Sequence, residues 1–164
     1  MPSRARVLAV FVLLGITSVL AGCGSGSKAS NGSKERFVYT TIFDCEAGTK
    51  FKPADCSTGI DAALAEHQKK ATKHATMRDC EAVEGLDRCE KLVDKDYQPR
   101  LMAYLFAETK TGGVAAIPLY SGLKGATVFR DGGGKVYDWE RTVGVVFSPE
   151  AKRKAEGFLP LKKK

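Results

Sequence analysis

The stretch RFVYTTIFDCEAGTKFKPADCSTGIDAALAEHQKKATKH, residues 36–74, decides the fold. Its opening, Arg36 to Phe43, alternates and is rich in β-branched and aromatic residues, the pattern of a strand. Two cysteines follow, Cys45 and Cys56. Thr58-Gly59-Ile60-Asp61 then has the Ser/Thr-x-x-acid form of a helix N-terminal cap. From there through His74, the residues Ile60, Ala63, Leu64, His67 and Ala71 share one helical face. A strand handing over to a helix across a cysteine pair predicts a mixed α and β domain.

Working outward, Thr76 with Asp79 caps a second, shorter helix that places Cys80 and Val83 inward, and Gly85 is its natural stop. Leu101–Ala107 is ambiguous between helix and strand. With Val114–Tyr120 beyond the turn at Thr109–Gly113, it leans to a β-hairpin. A clearer hairpin joins Thr127–Arg130 to Lys135–Trp139 through Asp131-Gly132-Gly133-Gly134, whose glycines supply positive φ. Val143–Phe147 reads as a further strand. Ser148-Pro149-Glu150 starts a last helix, with serine as cap, proline at the first position and an acid in the first turn.

The chain has 164 residues, is 43% apolar, and sets 26 Lys+Arg against 19 Asp+Glu, for a formal charge of +7. That length suits one domain, and the apolar content excludes a wholly disordered chain or a multi-span membrane protein.

The start of the chain reads as an address. Arg4 and Arg6 precede an apolar run from Val7 to Leu20, too short for a bilayer-spanning helix of roughly 20 residues but suited to a secretory signal. It ends in Leu20-Ala21-Gly22-Cys23, the form of a bacterial lipobox, in which Cys23 takes acyl chains such as palmitate and becomes the first mature residue. Gly24–Lys34 (GSGSKASNGSK) is the composition of a flexible tether. With Gly24 rather than aspartate after the lipidated cysteine, the expected site is the outer membrane, facing the periplasm.

Setting Cys23 aside leaves Cys45, Cys56, Cys80 and Cys89, an even number with no C-x-x-C pair. Zinc and redox sites favour close pairs, so two structural disulfides are the better reading, with all three connectivities open. The expected layout is a signal peptide over 1–22, lipidated Cys23 and tether over 23–34, a disulfide-framed domain over 35–148, and a basic helix and tail over 149–164. The fold class is a small disulfide-stabilised α+β domain with a helical pair and β-hairpins.

Catalytic patterns are weak. Ser121-Gly122-Leu123-Lys124 and Lys110-Thr111-Gly112 match the S-x-x-K and K-T-G of penicillin-binding enzymes, but in reversed order and without S-D-N. His67 and His74 lie seven apart without a third ligand spaced to join them, and His67 reads as a hydrogen-bonded residue of the core or its boundary. Glu81/Glu84 and Asp94/Asp96 are pairs that could serve acid–base work, yet they fit solvated faces. The glycine run 132–134 has no phosphate-loop context. No catalytic residue, metal site or cofactor is therefore assigned. The basic end (Lys152, Arg153, Lys154, Lys162, Lys163, Lys164) reads first as a solvated tail with no partner; behind a lipobox its targets would be anionic lipid, lipopolysaccharide or an acidic partner rather than nucleic acid.

The whole pattern resembles the YgiB-like family of uncharacterised bacterial lipoproteins. The resemblance is carried by the lipobox at Cys23, Tyr39 with Asp44-Cys45 and Cys56, Ala75-Thr76-Met77-Arg78-Asp79-Cys80, Gly85, Cys89, Pro118-Leu119-Tyr120 and Phe129-Arg130-Asp131-Gly132. It covers roughly residues 36–137, leaves Trp139–Lys164 unmatched, and implies no activity, cofactor or catalytic residue. The functional expectation is a lipid-anchored envelope protein that is not an enzyme. It would bind a partner, such as another envelope protein, or support assembly. The alternatives are a small periplasmic inhibitor or ligand-binding module and, behind these, an envelope hydrolase.

Overall fold

The computed structural model of the protein describes residues 35–122 and 128–157. The signal segment, Cys23, the tether, Lys124 and Lys162–Lys164 lie outside the described residues. The element order is β1 (Arg36–Tyr39), α1 (Ile42–Ala47), α2 (Pro53–Lys70), α3 (Met77–Glu84), β2 (Cys89–Lys91), β3 (Tyr97–Pro99), β4 (Ala103–Glu108), β5 (Val114–Ser121), β6 (Val128–Asp131), β7 (Val136–Asp138), β8 (Val145–Phe147) and α4 (Pro149–Glu156). Both hairpins form, and β4 is a strand. The α+β class holds.

Six strands make one sheet in the order β7-β6-β5-β4-β1-β8, antiparallel except for the β1–β8 pair, while β2 and β3 form a separate ribbon. Alternation sorts the side chains onto two faces. Val38, Leu105, Leu119, Phe129, Tyr137 and Phe147 share one core with Ala151 and Ala155 of α4. Phe37, Tyr39, Phe106 and Ala116 share the other with Ile60 and Ala63 of α2. Neighbouring strands lie about 4.8 Å apart, so β6 and β8, four steps apart in the sheet, would be about 19 Å apart if it were flat. The rings of Phe129 and Phe147 nevertheless stack with centroids 6.1 Å apart. The sheet is curled, its two flanks meet over the concave side, and α4 fills what remains.

The predicted strand Arg36–Phe43 stops at Tyr39. Thr41 has extended backbone, and its hydroxyl accepts from the Asp44 amide, so Ile42–Ala47 turns into a helix rather than continuing the strand. One Asp44 oxygen also accepts from the Thr40 amide at 2.8 Å and from the Ser148 hydroxyl at 2.6 Å. Ser148 in turn accepts from Ala151 as the cap of α4, tying the first helix to the last.

The second helix starts earlier and ends earlier than predicted. Lys52 is its N-cap without a side-chain bond, Pro53 supplies the fixed φ of the first turn, and Thr58 lies inside the helix rather than capping it. It ends at Lys70, so His74 is not on it. His74 instead exchanges backbone hydrogen bonds of 2.8 Å with Tyr97. In α3 the Thr76 cap and the Gly85 stop (φ 104°) form as predicted. Val83 does not face inward, being 58% exposed, and Glu84 takes the buried position.

The disulfides pair sequentially, Cys45 with Cys56 and Cys80 with Cys89, at Cα separations of 5.9 and 6.2 Å. The first joins α1 to α2; the second ties α3 to the β2–β3 ribbon. All four cysteines are buried.

Helix α2 approaches the sheet at Gly59. A Cβ there would stand 2.5 Å from Phe106 Cε1, and Phe106 is itself locked between Tyr39 and Phe51. Alanine favours a helix interior over glycine by about 1 kcal/mol, but overpacking a full core costs about 1–3 kcal/mol. Gly59→Ala is therefore expected to lower the urea midpoint with an unchanged m-value. A raised midpoint would show that the contact yields.

Candidate functional site

Helix α2, helix α3 and strands β5 and β6 surround a cavity of about 400 Å³, and its residues come from both predicted and unpredicted positions. On its α2 wall stand Glu66 and Lys70, paired at 2.9 Å one helical turn apart. From β5 come Ile117, Pro118 and Tyr120; from β6 comes Arg130. Tyr120 and Arg130 are neighbours across the β5–β6 ladder, so their side chains leave the sheet on the same side. The Arg130 guanidinium lies 5.4 Å above the Tyr120 ring and forms an ion pair with Glu84 of α3. That pair is well buried, its side chains 13% and 7% exposed. Arg130 Nε is buried without a hydrogen-bond partner among the described residues.

Behind Tyr120 runs a buried polar chain. The Gln98 amide nitrogen is 2.7 Å from both Glu90 Oε1 and His67 Nε2, so its two hydrogens serve both acceptors. His67 Nε2 also lies 3.3 Å from Glu90 Oε1, and Nδ1 lies 3.0 Å from the Tyr120 oxygen. Burial, helped by Glu66, Glu84 and Glu90 and opposed by Arg130, pushes the Tyr120 phenol up to about 12. It is a neutral donor throughout the physiological range.

His67 is where the sequence placed it, buried on the apolar face of α2 and hydrogen-bonded. Glu81 and Glu84 do not act as a pair: Glu81 accepts from the Asp87 amide and Glu84 is engaged by Arg130. Asp94 bonds Lys73 at 3.5 Å on the surface. Ser121 is buried at one end of β5, and Lys110-Thr111-Gly112 sits in the turn at the other end, about 25 Å away at strand rise. Among the described residues no three His, Cys, Asp or Glu side chains gather as metal ligands.

The sequence did not reveal Tyr120, Arg130, Gln98 and Glu90 as one cluster. Its available signal was indirect. A histidine on an apolar helix face must find buried hydrogen-bond partners, and Tyr120 and Arg130 occupy strand positions on the face that α2 covers.

A second hollow, of about 650 Å³, lies between α1, β8 and α4. It is lined mainly by apolar groups such as Phe37, Phe43 and Phe147, and its Asp44 already bonds Thr40 and Ser148.

A family model for proteins of unknown function (DUF1190) matches residues 33–156. The chain belongs to that family, consistent with the YgiB-like resemblance. The match runs past Trp139, where the resemblance ended, and takes in β8 and α4. No solved structure matches the chain.

Removing one member of a buried ion pair costs about 3–5 kcal/mol, whereas replacing both by apolar groups is often neutral. Glu84→Gln should therefore lower unfolding free energy by an amount in that range in urea titrations. Glu84→Leu with Arg130→Met should recover most of it. Equal losses in the single and double variants would mean that the pair is not what holds α3 to β6.

Alkaline titration offers a second check. Tyr120 and Tyr137 both have phenols raised to about 12, mainly by burial. Their folded values exceed the unfolded value of 10.0, so their stability contribution is complete below that pH and is lost as pH rises through about 12. Phenolate absorbance from both should accompany unfolding rather than precede it.

Proposed function

We propose that this protein is a lipid-anchored, non-enzymatic binding component of the bacterial cell envelope, held at Cys23 and facing the periplasm, with the outer membrane as its site. The observation that carries the reading is Leu20-Ala21-Gly22-Cys23 directly after a short apolar run. The two disulfides support it independently, because such bonds persist in exported compartments and not in a reducing cytosol. No helix of the described residues is long and apolar enough to cross a membrane.

A binding role rather than catalysis fits the state of the ionisable groups around the cavity. Glu84 is engaged by Arg130, Glu66 by Lys70, and both nitrogens of His67 have partners.

The cavity favours a second reading, a small ligand-binding or inhibitor module. Its volume falls in the range of small-molecule sites, and Tyr120 supplies a neutral donor beside it.

Cys23→Ala should abolish incorporation of labelled fatty acid and leave an unprocessed precursor. Normal labelling and membrane anchoring of that variant would overturn the address. A photo-crosslinking residue at Thr72, on the cavity rim, separates the two binding readings in cells. A protein adduct supports the assembly component, and a small-mass adduct supports the ligand module.

A further inference from the structure

The concave side of the sheet carries cations that the cavity does not use. Arg36 and Lys135 place their charges 5.5 and 5.6 Å from the Tyr137 ring centroid, from opposite flanks of the curled sheet. Lys152 of α4 lies 5.5 Å from the Trp139 ring centroid. None of these three has a carboxylate within salt-bridge distance among the described residues, unlike Lys50, Lys70, Lys73 and Arg130. Counter-charge is present too: Asp131 accepts from the Tyr137 hydroxyl at 2.9 Å and from the Lys135 amide at 3.0 Å, Asp138 faces Arg141 at 3.8 Å, Glu150 pairs with Arg153, and Glu140 is exposed.

Two apolar groups sit within this basic rim. Trp139 is half-buried against the concave core, and Val143, in the loop between β7 and β8, is 92% exposed. A half-buried tryptophan beside a lysine, with further cations on a neighbouring ring, is the composition of surfaces that rest in a headgroup layer, ring at the boundary and charges on phosphate. The position of the loop is equally telling. The Arg36 amide donates to Gly144 O at 3.0 Å, so the loop lies at the point where the chain arrives from residues 24–34. A Gly/Ser-rich segment of that length has a mean reach of about 20 Å.

We propose that the Arg36–Lys135–Trp139–Lys152 face, with the Val143 loop, seats the domain on the anionic headgroups of the membrane to which the chain is anchored. The proposal rests on the anchored reading for which membrane is met, but the face itself needs no acyl chain to be tested. The cavity's charged lining, Glu66, Glu84 and Asp131 against Lys70 and Arg130, carries no excess of cations for phosphate.

Trp139 is the only tryptophan of the chain, so its emission reports on this face alone. The chain from residue 23 onward, carrying Cys23→Ser so that no lipid is attached, is titrated with vesicles of phosphatidylglycerol and phosphatidylcholine, and with phosphatidylcholine alone. The expected result is a blue shift with the anionic vesicles only, reversed by salt. A lysine or arginine near such a surface contributes about a fivefold factor in binding. R36Q/K135Q/K152Q should therefore weaken vesicle binding on the order of a hundredfold. V143E, at a position whose side chain is already in solvent, should also weaken it without affecting the fold by circular dichroism. K162Q/K163Q/K164Q should leave the Trp139 shift in place.

No shift with anionic vesicles overturns the proposal. So does loss of binding in the tail variant with retention in the other two, which would locate the contact in residues 162–164. If Cys23→Ala blocks lipid labelling while the vesicle experiment fails, the anchor stands and this face does not. The converse result keeps the face and removes the anchor.

Discussion

The curl of the six-stranded sheet is the constraint on which the other parts depend. Both sheet faces are apolar, and only four helices are present among the described residues to cover them. Helix α2, the longest, covers the outer face through Ile60 and Ala63 against Phe106 and Ala116. The other face has only the eight residues of α4, which bury Ala151 and Ala155. Rolling the sheet lets Phe129 and Phe147 cover one another. It also requires β8 to pair with β1 from the far side, which is why the sole parallel pairing of the sheet falls there. A flat sheet of this sequence would leave Leu105, Leu119 and Phe129 in water. At roughly 25 cal/mol per Å² of apolar surface, exposing three large side chains costs more than a small domain's margin allows.

At the end of the outer face near β5–β6, where α2 sets His67 on Tyr120, a second small unit closes over the sheet. Helix α3 and the β2–β3 ribbon are joined by Cys80–Cys89 and come down on Tyr120 and Arg130. Their contact is polar: Glu84 with Arg130, and Glu90 and Gln98 with His67. Buried polar networks of this kind stabilise only when their members are satisfied. Arg130 Nε, buried without a partner among the described residues, marks where this one remains open, and it belongs to the cavity. The lid unit and the binding hollow are therefore one structural feature.

Much of this was legible in the sequence, for identifiable reasons. The caps at Thr76 and Ser148, the stop at Gly85 and the glycine turn at 132–134 are local backbone chemistry, and each formed where its residues dictated. Misreadings arose where two local signals competed. Thr58-Gly59-Ile60-Asp61 has the letters of a cap, but Pro53 opens the helix a turn and a half earlier, and tertiary contact fixes Gly59 against Phe106. Thr40-Thr41-Ile42 reads as strand until Asp44 is seen to need the Thr40 amide and the Ser148 hydroxyl, a partner 104 residues away. Val83 and Glu84 exchanged their expected roles because burying glutamate is favourable only with a cation supplied from β6. Periodicity alone cannot show that cation. The His67 cluster was hidden for the same reason, since its members lie on α2, β2, β3 and β5.

The formal charge of +7 also takes on a different meaning once placed on the fold. A net excess of cations spread evenly would say only that the chain is soluble and attracted to anything acidic. On the concave side, Arg36, Lys135 and Lys152 lie against aromatic rings, and a cation over a ring gains stabilisation without losing its charge to a carboxylate. The proposed seating on an anionic surface would draw on those ring-held cations, because their charge stays available to phosphate.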